Sequence, residues 1–303
     1  MTKLFAGVDV GGTAVKVGVC DDQGHVCARG SVPTDAAAPP EQMLDRIAVA
    51  VHQLAGDTGD IAACGVGTPG PLDPERRALH RANHLPMWTN VAIPQCLGDR
   101  LGIPVVLEND ANCATWAEAC IGAGRGAHSV VLVTLGTGVG GGIVLNGDLW
   151  TGVSGAAGAL GHLVIDPAGP LCLCGQRGCL ETYASATSVA RRFGRGSALD
   201  AFAAAKQGDA AGIAAISDAS DALGAAIALI VHTLQPEVVI LGGGMSAAGD
   251  ALLVPVREAV RQRVRPAWLE RTRIVTASLG GDAGWIGAAL WAASSISQHS
   301  RTH

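Results

Sequence analysis

Short apolar runs broken by glycine or aspartate fill the first part of the chain and predict a meander of strands. LFAGVDV (4–10), VKVGVC (15–20) and HVCARGSV (25–32) are three such runs, separated by GGT and DDQGH. From Glu41 to Leu54 the period changes, with Met43, Leu44, Ile47, Val51 and Leu54 recurring at helical spacing. IAACGVG (61–67), stopped by TPGP, predicts a buried strand. IPVVLEND (103–110) predicts another, and ANCATWAEAC (111–120) continues it as a helix. A second cycle opens at SVVLVTLGTGVGGGIVLNG (129–147), whose strand, glycine-rich turn and strand echo FAGVDVGGTAVKVGV near the start. The echo reads as a duplicated strand–turn–strand nucleotide module. Residues 209–234 place Ile213, Ile216, Leu223, Ile227, Ile230 and Leu234 on one face of a long helix. PEVVILGGG (236–244) reads as a buried strand ending in glycines, and GDAGWIGAALWAASS (281–295) as a closing helix. Strands interleaved with helices predict an α/β architecture with ligands at the strand C-termini.

Composition bounds this picture. The chain has 303 residues, enough for two ordinary domains, since single cores stop growing at about 250–300 residues. Hydrophobic residues make up 49% and charged residues 16%, which excludes a disordered chain. A net charge of −5 argues against a nucleic-acid partner held through phosphates. The densest basic stretch, Arg257 to Arg273, alternates with apolar residues and reads as a solvated helix face. No run approaches the roughly 20 apolar residues of a membrane span. MTKLFAGVDVGG has no charged-then-apolar leader, so no membrane and a cytoplasmic location are expected. Nine cysteines without an export signal point to thiols or metal ligation rather than disulfides, with Cys20, Cys27, Cys64, Cys96, Cys113 and Cys120 expected in the core.

Three glycine-rich turns each follow a strand: Asp9–Val10–Gly11–Gly12–Thr13, the segment from Gly136, Thr137 and Gly138 to Gly142, and Gly242–Gly243–Gly244. Glycines there let backbone N–H groups approach phosphate oxygens with no Cβ in the way, although glycine also serves ordinary turns. Neither the P-loop pattern nor a Rossmann fingerprint is present. Asp9, at a strand end, can hold Mg²⁺ beside a polyphosphate or cap its own turn. Thr13 offers a hydroxyl and Lys16 a charge, unless Lys16 faces solvent. In LEND, Asn109 or Asp110 can cap the following helix, or the carboxylate can accept a proton from an attacking hydroxyl. His162, Cys172, Cys174 and Cys179, in GHLVIDPAGPLCLCGQRGCLE, form a Cys₃His set suited to closed structural zinc; free buried thiols are the other reading.

Taken in order, these motifs resemble the ROK family of bacterial sugar kinases, essentially end to end. DVGGTAVKVGV is similar to the first phosphate motif, GVGTPGPLD (65–73) and NHLPMW (83–88) to sugar-side loops, and LENDANC to the segment with the catalytic aspartate. TLGTGVGGGIVLNG is similar to the second phosphate motif, the Cys/His segment to the zinc signature, and VILGGGMS and GDAGWIGAA to the C-terminal nucleotide motifs. The resemblance implies an actin/hexokinase-like (ribonuclease H-like) duplicated α/β fold, two domains around a central cleft. One domain would span 1–109 with a C-terminal helix at about 285–303, and the other 110–284 with the zinc loop. It implies ATP with Mg²⁺, structural Zn²⁺, a small sugar substrate, and a homodimer or homotetramer. Asp110 would be the general base on the 6-hydroxyl of a hexose, glucose or a close analogue. Asn109, His162 and Glu181 would bind sugar hydroxyls, with the Gly70 backbone nearby.

Two residues depart from the family pattern. Ala14 replaces a frequent lysine. Ala159 stands where the family reads Gly-Glu-x-Gly-His, whose glutamate accepts hydrogen bonds from sugar hydroxyls; here the segment is GALGH. Losing such a bond changes affinity about 10-fold or more. Either the chain is a weaker glucokinase, or its substrate is a modified sugar such as kanosamine or N-acetylmannosamine, or a C7 cyclitol. A sugar-responsive repressor of the same family is disfavoured, because no helix-turn-helix segment precedes Asp9.

Overall fold

The echo between the two halves of the sequence is an echo of topology. In the computed structural model, which describes residues 3–82 and 85–299, two five-stranded sheets share one strand order. In the first, β1 (Leu4–Val10), β2 (Ala14–Asp21) and β3 (Val26–Pro33) form the antiparallel meander. Helix α1 (Pro40–Thr58) buries Met43, Leu44, Ile47 and Val51, as its period requires. The chain then returns in β4 (Ile61–Thr68), parallel to β1. A hairpin of β5 (Leu79–Ala82) and β6 (Leu85–Val91) and helix α2 (Ile93–Leu101) precede β7 (Val105–Asn109), which completes the order β3-β2-β1-β4-β7. Helix α3 (Asp110–Cys120) starts on the next residue.

The second sheet repeats the plan. Strands β8 (Val130–Leu135), β9 (Val139–Leu145) and β10 (Asp148–Leu149) are its meander, and β11 (Val238–Gly242) and β12 (Arg273–Thr276) its parallel pair, in the order β10-β9-β8-β11-β12. Between β10 and β11 lie a 3-10 turn at Leu160–His162 and helices α4 (Glu181–Ala184), α5 (Ala186–Phe193), α6 (Ala198–Lys206) and α7 (Ala210–Leu234). Helix α7 is long and apolar enough to cross a membrane by length and composition, but it is the core helix of this unit: Ile216, Leu223, Ile227, Ile230 and Val231 are buried. The basic stretch differs from the expected helix face. Helix α8 (Asp250–Arg261) ends early, Pro266 starts the single turn α9 (Pro266–Leu269), and Arg273 opens β12. Among the cysteines expected in the core, Cys27 is exposed, because β3 is an edge strand with little cover.

Helix α10 (Ala283–His299) returns to the first sheet and packs on β1, β4 and α3. The approach is backbone to backbone. A Cβ on Gly65 would strike the carbonyl of Ala288, and one on Gly287 the carbonyl of Cys113. The chain therefore divides into one unit of Met1–Ile121, Thr151–Ala157 and Asp282–His303, and a second of Gly122–Trp150 and Gly158–Gly281. The expected break between 109 and 110 lies instead after Ile121, because α3 packs against α10 and stays with the first sheet.

Candidate functional site

In the first unit the C-terminal ends of β1 and β7 collect carboxylates. Asp9 closes its strand opposite Lys16, its register partner on β2. Burial pushes the Asp9 carboxyl up to about 6, helped by the nearby Asp110 charge and opposed by Lys16. Gly284 in the first turn of α10 lies against this carboxylate, 2.5 Å from the point where its Cβ would sit. The turn beyond Asp9 is tied at its base: Thr34 Oγ1 donates to the Gly11 carbonyl at 2.7 Å and the Thr34 N–H to Thr13 at 3.0 Å. Gly12 and Thr13 are exposed at its tip.

The strand-to-helix junction identifies the capping residue of LEND. Asn109 is the cap, its Oδ1 accepting the N–H groups of Ala111 and Asn112 at 3.0 and 3.3 Å. Asp110 begins α3, and its Oδ1 accepts the Ala111 N–H at 2.8 Å. Capping occupies the Asn109 oxygen and leaves its amide group as a donor. The buried thiol of Cys113 is held well above its ordinary range by burial and then by the charges of Glu108, Asp9 and Asp110. Gly70 has φ 104° in the loop after β4, backed by the Arg81 carbonyl. Of the sugar-side segment NHLPMW, Asn83 and His84 lie outside the described residues, and Trp88 is buried in the core.

The second unit brings together the other two glycine turns. Gly242 is the register partner of Thr134 on β8, and Gly243 at φ 78° lies against the backbone of Leu135, the residue before Gly136. The turn at Gly136, Thr137 and Gly138 is held from the far end of the Cys/His segment. Glu181 accepts the Val139 N–H at 2.9 Å, Ala186 N–H donates to Gly136, and Thr187 Oγ1 donates to the Thr137 carbonyl at 2.8 Å. The position of Gly138 leaves no room for a Cβ beside the Glu181 carboxylate.

His162 ends the 3-10 turn. Buried Leu160 anchors this turn, and Gly161 lies against the Val139 carbonyl, while Ala159 and His162 are exposed. The donor atoms of His162, Cys172, Cys174 and Cys179 all lie within 4.8 Å of one another. His162 Nδ1 is 3.8 Å from the Cys172 sulfur, and the sulfurs of Cys174 and Cys179 are 3.6 Å apart. A tetrahedral ion with Zn–S bonds of ~2.3 Å requires edges of about 3.8 Å, so the set fits zinc in both donor type and spacing. The loop has its own brace: Tyr183 donates to Asp166 at 2.7 Å while Arg192 lies over the Tyr183 ring.

One sequence signal passed without a role. Glu108 is a carboxylate inside an otherwise apolar strand; its partner Asn112 lies in the same LENDANC segment, whereas Arg76 is marked by no motif. A charged residue in a buried strand is itself the signal.

The sequence matches the ROK family over residues 5–295. The chain belongs to the ROK family. Among ROK proteins it is 38% identical over 309 positions to a glucokinase of Thermotoga maritima, covering 95% of this chain and 97% of that one. It is 34% identical to an N-acetylmannosamine kinase of Citrobacter koseri, with coverage of 94% and 97%. A ROK glucokinase from Streptomyces griseus, solved in complex with glucose and AMPPNP, is 32% identical with a TM-score of 0.82, covering 96% of this chain and 99% of that one. The duplicated, actin/hexokinase-like α/β fold of ROK glucokinases is the fold of this chain.

The raised Asp9 carboxyl gives a pH dependence with a definite sign. Between the ordinary value of 3.8 and about 6 the folded chain binds more protons than the unfolded one, so stability falls as pH rises through that window. In urea unfolding of nucleotide-free protein, Asp9→Asn is expected to gain stability over wild type as pH goes from 5 to 7. Equal or lower stability of the variant at pH 7 would contradict the assignment.

Proposed function

We propose that this ROK-family sugar kinase transfers the γ-phosphoryl group of ATP to the 6-hydroxyl of a hexose, glucose or a close analogue, with Asp110 as general base. The observation that carries the reading is the carboxylate pair at the first sheet's strand ends, Asp9 and Asp110, in a chain so similar to glucokinases. Asp110 takes the hydroxyl proton as the sugar oxygen attacks phosphorus; the bond to the β-phosphate oxygen breaks, and ADP leaves. Asn109 presents its amide donors and Glu181 its carboxylate to sugar hydroxyls. The turns at Gly11, Gly12 and Thr13, at Gly136, Thr137 and Gly138, and at Gly242, Gly243 and Gly244 offer backbone N–H groups to phosphates. Lys16 adds positive charge beside Asp9. A Mg²⁺ ion near Asp9 would neutralise phosphate charge.

His162, Cys172, Cys174 and Cys179 would hold Zn²⁺, which with four protein ligands has no open position and orders the loop. His162 has Nδ1 on the thiol side, so as a ligand through Nδ1 it would carry its proton on Nε2 and donate it to a sugar hydroxyl.

Ala159 favours a second reading of the substrate. It is exposed beside His162 and brings no hydrogen-bonding side chain to that corner. A modified hexose such as N-acetylmannosamine, the substrate named for the Citrobacter relative, or kanosamine, or a C7 cyclitol would suit a corner without a carboxylate.

Asp110→Ala should abolish phosphorylation while sugar binding, followed by calorimetry, persists; substantial residual turnover would refute the base. Purified protein should contain one zinc per chain by elemental analysis, and chelation should lower both activity and thermal stability. Metal-free protein with full activity would remove zinc from the account. A panel of glucose, mannose, N-acetylmannosamine, kanosamine and C7 cyclitols should show weak glucose affinity in the wild type. Ala159→Glu should tighten glucose about 10-fold or more, the value of one charged hydrogen bond. Tight glucose use by the wild type would overturn the second reading.

A further inference from the structure

The buried carboxylate of Glu108 takes part in no step above, yet it holds the backbone N–H of Asn109, the residue before Asp110. We propose that Glu108 and Arg76 form a clamp that positions Asn109 and Asp110, with Glu108 acting as a positioning residue for phosphoryl transfer. The inference rests on the reading of Asp110 as the base.

Glu108 is 1% exposed, one residue before the end of β7. Its Oε1 accepts the backbone N–H of Asn109 at 2.9 Å and the Asn112 side-chain amide at 2.8 Å. Those two partners bracket Asp110, one on the strand side and one in the first turn of α3. Its Oε2 accepts Arg76 Nε at 2.5 Å. Backbone pairing holds the strand end from the other side, with Thr68 as the register partner of Asn109. A buried ion pair is a weak source of stability, because an apolar replacement of similar volume is often neutral or better. What the pair supplies here is direction: Oε1 of Glu108 fixes the groups on either side of Asp110, and Arg76 fixes Oε2.

Two local features run against stability and serve the same geometry. Arg76 sits at φ 56°, the left-handed region that a side chain rarely adopts. Asn112 is buried with its amide turned to Glu108, which leaves its Oδ1 without a hydrogen-bond partner. Strain of this kind persists where the surroundings impose it, and it gathers at functional sites. Arg76 also belongs to the turn whose N–H donates to the Asp73 carbonyl at 2.9 Å, just beyond the Gly70 loop. The clamp therefore ties the Gly70 loop to the Asp110 segment within one unit.

The test uses Arg76→Gly, because glycine takes φ 56° without strain and the turn keeps its shape. Arg76 borders a cavity of about 480 Å³ along β7, so methylguanidinium can replace the lost group. The variant is expected to lose kcat by about 10- to 100-fold, as a displaced catalytic group does, with the KM for ATP within about twofold of wild type. Methylguanidinium should restore kcat saturably. Glu108→Gln placed on Arg76→Gly should recover activity, since a neutral amide needs no counter-charge. A folded Arg76→Gly with wild-type kcat would overturn the clamp. So would a kcat loss that neither methylguanidinium nor Glu108→Gln relieves, which marks a purely structural role. Should Arg76→Gly not fold, Glu108→Gln alone decides: a tenfold kcat loss in folded protein supports the clamp, and wild-type kcat overturns it. Asp110→Asn is measured in parallel. Substantial turnover there defeats the base reading whatever the clamp variants do, whereas an inactive Asp110→Asn beside a fully active Arg76→Gly defeats the clamp alone.

Discussion

The site of the first unit depends on one contact, the approach of helix α10 to the sheet at backbone distance. Gly65 and Gly287 meet carbonyls of Ala288 and Cys113 where any side chain would collide. That contact sets the depth of α10, which brings Gly284 against the Asp9 carboxylate. It also fixes α3, whose first residue is Asp110 and whose cap is Asn109. A close-packed interior does not absorb a displaced helix, so a shift of α10 would move both carboxylates together. The cost of this arrangement is visible at Asp9, which burial and Asp110 keep partly protonated up to about pH 6.

The second unit solves a related problem with a knot rather than a helix. Leu160 and Gly161 pin a single turn to β9, and His162, Cys172, Cys174 and Cys179 come together across the loop that follows. Where the loop ends, Glu181 is bonded to the same turn that presents Gly136, Thr137 and Gly138. The loop and the glycine turn are thus one structure, and the residue best placed to vary without disturbing it is exposed Ala159.

Much of this was legible in the sequence, and the failures have physical causes. The first meander, the first two strands of the second, α1 and α7 follow from apolar patterning, and each glycine turn lies where a strand ends. The Cys₃His set was readable because ligands for a small ion must come from residues of fixed type. The hairpin of β5 and β6 and helix α2 were missed, since their runs are short and interrupted by polar residues. The break after Ile121 depends on α10, far downstream, and no local pattern encodes that pairing. The role of Asn109 as cap needed coordinates, because Asn and Asp both suit the position. Glu108 in β7 and Arg76 in the turn after β4 lie far apart in the sequence, and only the oddity of a charge inside β7 hinted at a partner.

The claim on which the account turns is that Asp110 receives the proton of the sugar hydroxyl that is phosphorylated. A crystal structure of the enzyme with its preferred hexose and a non-hydrolysable ATP analogue measures this directly. The account predicts the hexose 6-oxygen within about 3 Å of an Asp110 carboxylate oxygen and facing the γ-phosphate. A 6-oxygen out of reach of Asp110, or held by a different carboxylate, would contradict it.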